Sequence, residues 1–373
     1  MSKLADLGQI LNGAPVPKNK GKYPAFGGNG IISYVDKYNY KSNTVVIGRV
    51  GANCGDVSFS DKECWVTDNA LALIVNEQND PYFVYNLLKV LKLNTFHIGS
   101  SQPLITQRII NNIECNYIKD INHQKRIGSF FSNIDKKIQN NKKQIETLES
   151  IAKTIYDYWF VQFDFPNEDG KPYKSSGGKM VWNEELKREI PEGWNETCIE
   201  KITNCLDSKR IPLSGKQREL KKGNIPYYGA TSIMGFIDEF IFDGDYVLMA
   251  EDGSIMTSQN TPILQRISGK TWVNNHAHVI EPIGKYSCSI IFHFLKNVYV
   301  PSLKTGSIQA KITQNKMNSI KVVNIPDALL EKYNETIEPL DKKIKISSKE
   351  ISNLNKVKRY LLPLIMNGQV SLQ

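Results

Sequence analysis

The 373-residue chain has no apolar run approaching the ~20 residues that cross a bilayer, which excludes a transmembrane helix. The opening Met1-Ser-Lys-Leu-Ala-Asp has no apolar signal-peptide core. Cysteine is scarce: Cys54, Cys64, Cys115, Cys198, Cys205 and Cys288, with no C-x-x-C spacing. That argues against a zinc ribbon or a disulfide frame and leads us to expect reduced thiols in the cytoplasm. No G-x-G-x-x-G loop precedes a helix. Gly48-Arg-Val-Gly-Ala-Asn-Cys-Gly55 lacks that spacing and reads as a tight turn. Asn79-Asp-Pro-Tyr82 lacks the second proline of an amino-methyltransferase motif and reads as a helix start. His276 and His278, two apart on a predicted strand, share a face, but a metal needs two or more further ligands nearby. No metal site is expected. Neither a nucleophile with its base nor a nuclease-like carboxylate–lysine cluster stands out, so no catalytic residue is expected.

What the chain does have is positive charge and a repeat. Lys and Arg exceed Asp and Glu by nine, which favours a polyanionic partner. Gly99-Ser-Ser-Gln-Pro-Leu-Ile-Thr-Gln-Arg-Ile-Ile-Asn-Asn-Ile113 returns as Gly306-Ser-Ile-Gln-Ala-Lys-Ile-Thr-Gln-Asn-Lys-Met-Asn-Ser-Ile320, eight of fifteen positions matching at a shift of 207. Tyr23-Pro-Ala-Phe-Gly-Gly-Asn-Gly-Ile-Ile-Ser-Tyr-Val-Asp36 is echoed by Ile225-Pro-Tyr-Tyr-Gly-Ala-Thr-Ser-Ile-Met-Gly-Phe-Ile-Asp238 at a shift of 202. Trp65-Val66 and Asp135-Lys-Lys-Ile138 recur at shifts of 207 and 206. The order is kept and the period is far too long for a solenoid, so each copy is a domain-sized half.

Within each half the pattern changes period. Thr44–Val50, Asp56–Phe59 and Ala70–Val75 are short β-type runs punctuated by Gly and Asn, followed by a predicted short helix over 81–93. The second half repeats this, with a helix predicted over 287–297. Then Ile127, Phe131, Ile134, Ile138, Ile145, Leu148, Ala152 and Ile155 recur at spacings of three and four, with Asn141 in the gap. That is a heptad seam. Ile337, Leu340, Ile344, Ile351, Leu354 and Leu361 form a second seam, with Ser347 and Lys358 as polar positions. Pro363 should end or kink that helix. The two seams most simply pack on each other, antiparallel, as a spacer of roughly 42 Å, about 12 base pairs, the alternatives being partner helices or a dimer.

The expected fold is therefore α+β: two repeated sheet-rich domains, each followed by a long helix, the helices pairing as an antiparallel coiled coil. The expected boundaries are 1–118 for the first domain, 119–160 for the first helix, 161–190 for a turn-rich polar surface linker, 191–326 for the second domain and 327–366 for the second helix.

These residues carry a resemblance. Tyr23-Pro-Ala-Phe-Gly-Gly-Asn-Gly30, Ile47-Gly-Arg-Val-Gly-Ala-Asn-Cys-Gly55, Trp65-Val-Thr-Asp-Asn-Ala70, Gly99-Ser-Ser-Gln-Pro-Leu-Ile-Thr106, Tyr158-Trp-Phe-Val-Gln-Phe-Asp164 and Pro191-Glu-Gly-Trp194 resemble, in that order, the specificity subunit of type I restriction–modification enzymes. The resemblance implies that each globular domain is a target recognition domain reading one half of a bipartite double-stranded DNA sequence. It implies that the helices set the unread gap and dock two methyltransferase subunits, which bring S-adenosylmethionine. The chain itself would need no cofactor, and restriction subunits could join that core. The family's Pro-x-Gly-Trp before the first recognition domain has no counterpart here, so a trimmed leading edge is expected, with Leu4-Ala-Asp-Leu7 matching Ile199-Glu-Lys-Ile202.

Features shared by both copies cannot tell two half-sites apart. Ser100, Gln102, Ser307 and Gln309 in the repeated Gly-Ser-x-Gln segment therefore suit DNA-backbone contact or framework, as a turn and cap before a strand with Ile105 and Ile312 in the core. Readout is expected where the copies diverge. Arg49 is set against Met249 or Ala250, Asn53 lies in the same loop, and Asn29 is set against Thr231. Lys209, Arg210, Lys216 and Arg218 form a basic segment special to the second half, and Lys304 and Lys311 flank its Gly-Ser. Basic residues meet phosphates by default, and an Arg forked onto guanine is the minority case. The rival reading is a coiled-coil protein–protein adaptor that reads no DNA.

Overall fold

A computed structural model describes residues 2–99, 102–306 and 310–372. The chain divides into two compact units, Met1–Lys143 with Ser348–Gln373, and Gln144–Ser347. The division cuts through both long helices, Ile121–Tyr156 and Asp327–Met366, so each unit owns a part of each helix.

In the first unit a four-stranded antiparallel sheet runs in the order Gly8–Asn12, Ala70–Val75, Thr44–Gly48, Val57–Ser60. A three-stranded sheet lies beside it: hairpin Lys20–Gly27 and Gly30–Val35, with Trp65–Val66 added parallel. The strand Thr44-Val-Val-Ile-Gly48 is buried throughout because both its faces are covered. Val45 and Ile47 join Phe83, Leu87, Leu88 and the long-helix residues Ile127, Phe131, Ile134 and Ile138, whereas Val46 packs with Phe26, Val66 and Ala72. The helix over Pro81–Leu91 begins as expected: Pro81 opens it and the Asp80 side chain accepts the Phe83 N–H at 2.8 Å.

The second unit repeats this part by part. Its six-stranded sheet runs Thr203–Cys205, Ala277–Pro282, Phe242–Ala250, Leu264–Val273, Lys222–Tyr228, Ile233–Ile237. One ten-residue strand, Leu264–Val273, does here what Val57–Ser60 and Trp65–Val66 do separately in the first unit, which merges two sheets into one. Helix Cys288–Lys296 matches Pro81–Leu91. Leu4–Leu7 and Ile199–Ile202 are corresponding helical turns, each following a short strand (Ser2–Lys3, Glu196–Cys198) paired near its domain's end.

The helix seams are antiparallel in both units, buried at Ile127, Phe131, Ile134, Ile138, Ala152 and Ile337 and half-buried elsewhere, and their polar positions are matched. In the first unit Lys358 Nζ sits 2.6 Å from Asp135 Oδ1, Tyr82 Oη donates to Asp135 Oδ2, and Asn141 Nδ2 donates to Glu350 at 2.8 Å. In the second, Ser347 Oγ donates to Gln144 Oε1 at 3.0 Å. Such paired polar positions fix register at some expense of apolar burial.

Three expectations change. Residues 161–190, expected as a polar surface connection, bury Phe163 and Phe165, and their hairpin Met180–Asn183 with Arg188–Pro191 belongs to the second unit. Phe165 stacks between Tyr173 and Trp194, which outweighs the turn-rich composition. The first helix ends in a π turn, Asp157–Val161, that sets Trp159 and Phe160 into this core. Pro363 does not itself end the second helix, which continues for three residues to Met366.

Candidate nucleic-acid interface

Three of the eight shared positions, the first glycine, the first isoleucine and the threonine, have a structural cause in both copies. Gly99 and Gly306 have φ of 83° and 85°, where a side chain is strained. Ile105 and Ile312 are fully buried, as expected. Thr106 Oγ1 accepts the Ile109 N–H, and Thr313 Oγ1 accepts the Lys316 N–H, so each threonine caps a short helix (Gln107–Asn111 and Gln314–Asn318) rather than preceding a strand. Gln102 is exposed. Ser100, Ser307 and Gln309 lie outside the described residues.

In the first unit three loops meet at one edge. A Cβ on Gly48 would come within 2.5 Å of Gly28 O and 2.4 Å of Asn53 O, so the hairpin turn and the Gly51–Asn53 turn both press on a glycine. Gly51 N–H donates to Pro103 O at 2.9 Å, Ile105 N–H donates to Arg49 O at 2.9 Å, and Val50 bridges Leu104. Four candidates, Asn29, Arg49, Asn53 and Gln102, are thereby gathered on one rim, three exposed and Arg49 half-buried.

The same framework in the second unit corrects the alignment of Arg49. Arg49 N–H donates to Asn69 O and Arg49 O accepts from Ile105. Glu251 N–H donates to His276 O and Glu251 O accepts from Ile312. The counterpart of Arg49 is therefore Glu251, not Met249 or Ala250. Likewise Val50 and Leu104 correspond to Asp252 and Lys311, which form the same bridge. A cation in one copy stands where the other has an anion.

That anion organises a buried network. Arg210 Nη1 donates to Glu251 Oε2 at 2.7 Å and to Ala277 O at 2.7 Å, and Nη2 lies 3.2 Å from Asp207 Oδ2. Lys311 Nζ approaches Glu251 Oε1 at 2.8 Å. Burial pushes both carboxyls up, but hydrogen bonds outweigh it, from His278 at Asp207 and from Lys311 and Arg210 at Glu251, so both carboxyls titrate below their ordinary values. Arg210, expected at phosphate, has its side chain only 11% exposed and is spent inside the domain. Lys311 is exposed but ion-paired, and Arg218 is half-buried over the Tyr227 ring at 5.3 Å. Lys209, Lys216, Lys304 and Thr231 are exposed. Thr231 sits in a hairpin turn held by Gln265 Nε2, which donates to Gly229 O and Ala230 O at 3.1 Å each.

Cys205, Asp207 and His278 bring ligand-type atoms within 4.8 Å of one another. Both His278 ring nitrogens already face oxygens, Asp207 Oδ2 at 2.5 Å and Ile312 O at 2.8 Å, and burial pushes the Cys205 thiol up to about 12. The group is knit as a hydrogen-bond network. Sequence reasoning missed Asp207 and Glu251, although the Asp207–Arg210 spacing of three was a visible signal.

These features define a class: a duplicated α+β protein whose two units share a framework, diverge in charge at one framework position, and each contain part of both long helices. The family model for the type I restriction modification DNA specificity domain matches residues 1–150 and 191–356. The chain belongs to that family. A putative type I restriction enzyme specificity subunit of Haemophilus influenzae is 34% identical over 144 residues, 38% of this chain and 35% of that one. A type I restriction enzyme specificity subunit of Methanocaldococcus jannaschii is 24% identical over 302 residues, 74% of this chain and 65% of that one. The chain thus spans less than two thirds of these two relatives. The S subunit of a type I restriction–modification system from M. genitalium shares the fold, with a TM-score of 0.63 at 21% identity, over 98% of this chain and 95% of that one. No helix among the described residues is long and apolar enough to cross a membrane.

Proposed function

We propose that this chain is a non-catalytic DNA-recognition and scaffold subunit acting in the cytoplasm. Each unit reads one short half-site of a bipartite double-stranded target, and the paired helices set the unread gap. Two methyltransferase subunits dock on it and supply S-adenosylmethionine and the chemistry, forming a core that restriction subunits could join. The observation that carries this reading is the duplicated rim with divergent charge: one framework, holding Arg49 in one copy and Glu251 in the other, suits one fold reading two different sequences. Asn29, Arg49, Asn53, Lys209, Lys216, Thr231 and Lys304 are the residues assigned to DNA, with Gln102 as a backbone contact.

The test is co-expression with type I methyltransferase subunits, followed by mapping of methylated positions. Two short motifs separated by a constant gap are expected, and one uninterrupted motif would refute the bipartite reading. Because phosphate contacts release counterions, affinity should fall steeply with salt. A flat salt response with no retention on DNA would favour the adaptor reading instead.

A further inference from the structure

The two hairpins repeat more than their hydrogen bonds. In the first, Ile31, Ile32 and Tyr34 are exposed; in the second, Ile233, Met234 and Phe236 are exposed, each at a shift of 202 from its counterpart. All six lie between 40% and 57% exposed, which for large apolar side chains is a cost in water. Scattered exposed apolar residues need no explanation, but a ridge kept at the same three positions in both copies does.

The ridges are also built alike. Each hairpin has a register shift at the same place, Lys20/Tyr23 opposite Val35 and Lys222/Ile225 opposite Ile237. Each shift rests on a glycine, Gly21 and Gly223, whose Cβ would come within 2.4 Å of Asp36 Cα and 2.5 Å of Asp238 Cα. A second shift in each hairpin, between Ala25/Phe26 and between Tyr227/Tyr228, leaves Ile32 and Met234 as extra residues of the ridge strands, and bulges of this kind twist a strand and re-aim its side chains. Ile32 and Met234 in turn lie over Gly27 and Gly229, where a Cβ would meet them at 3.0 and 2.6 Å.

The surroundings identify the partner's chemistry. Lys18, Lys20, Lys22, Lys37 and Lys41 flank the first ridge, all exposed, with Asp36 as the acid among them. Lys216 and Lys222 flank the second, also exposed, with Glu219, Asp238 and Glu239 as the acids among them and Glu239 paired to Lys221. The same hairpin turns carry Asn29 and Thr231. An apolar ridge framed by lysines complements a polyanion with apolar surface between its charges, which describes a DNA groove.

We propose that the two hairpin ridges are matched, sequence-independent DNA contacts, pressing apolar side chains against base steps and sugars while the flanking lysines hold phosphates. The proposal rests on the DNA-recognition reading above. Being alike in both copies, the ridges position DNA and leave readout to the divergent rim.

The test uses the complex with methyltransferase subunits on a duplex carrying the mapped target and on a scrambled duplex, with the double variants Ile32→Ser/Tyr34→Ser and Met234→Ser/Phe236→Ser. Each is expected to weaken binding about tenfold on both duplexes, the scale of losing one buried apolar side chain. The salt slope should stay unchanged, since no cation is removed, and the methylated sequence should stay the same. Tyr34→Phe, which keeps the ring, should bind like the parent. If a serine pair lowers the melting temperature, Ile32→Ala and Met234→Ala carry the test. Unchanged affinity in the variants while the parent binds would overturn the ridge proposal alone. So would loss of co-purification with methyltransferase while the chain's own DNA binding persists, which would make the ridge a protein dock. A parent complex that does not bind DNA would overturn the recognition reading itself, and the ridge with it.

Discussion

Arg210 and Glu251 are joined at 2.7 Å in a largely buried network of the second unit, with Asp207 3.2 Å from the guanidinium's other terminal nitrogen. Removing one partner of such a group leaves charge buried without compensation. Arg210→Ala is expected to cost about 3 kcal/mol of stability in urea unfolding and to leave the salt slope of DNA binding unchanged. Lys209→Ala, one residue away and exposed, should behave oppositely: stability within about 0.5 kcal/mol and a salt slope smaller by about one. Equal effects on both measurements would refute the division of roles.

The register of Arg49 with Glu251 makes readout testable in one copy at a time. Arg49→Ala is expected to relax or change the half-site read by the first unit and leave the other intact, as seen in the mapped methylation motif. Discrimination at one base pair should fall by about 1–3 kcal/mol if Arg49 forks onto guanine. If it holds phosphate, affinity falls for all sequences and the motif stays as it was.

His293 is buried against Tyr156, with ring centroids 4.8 Å apart. Burial, helped by Lys296 and Arg266, pushes its pKa down from 6.5 to about 4. Below pH 6.5 the unfolded chain takes up a proton that the folded chain refuses, so stability present above 6.5 declines until about 4. The urea midpoint of the parent should fall across that window, and His293→Phe, which keeps a ring for Tyr156, should flatten the fall. The depressed Asp207 and Glu251 carboxyls lose their stabilisation as pH drops through their own folded values.

Gly128 lies in the first long helix, where a Cβ would meet Asp80 Oδ1 at 2.1 Å, on the cap of helix Pro81–Leu91. Alanine would improve helix propensity by ~1 kcal/mol but would displace that cap. Gly128→Ala should therefore destabilise the first unit, by about 1–2 kcal/mol in thermal or urea unfolding. A stabilised variant would show that Asp80 gives way freely.

Seven residues inserted into both long helices, two turns or about 10.5 Å, are expected to lengthen the unread gap by roughly three base pairs. Methylation mapping reads the result directly, and an unchanged gap would refute the spacer role.

The duplication, the α+β class, the heptad seams and the helix starts were legible in the sequence because they depend on local order: periodicity, capping residues and repeats. Thr106, Thr313, Ile105 and Ile312 are alike because each performs a local task twice. What only the tertiary structure decided was which charges are free. Apart from Asp207 three positions before Arg210, nothing local separates Lys209 from Arg210. The difference arises because Arg210 reaches Glu251, forty-one positions on, and Asp207 carries His278, seventy-one positions on. The burial of Phe163 and Phe165 was hidden for the same reason, since their partners Arg188 and Trp194 lie across a polar, turn-rich stretch. Pairing over such distances is set by packing, and sequence periodicity carries no record of it.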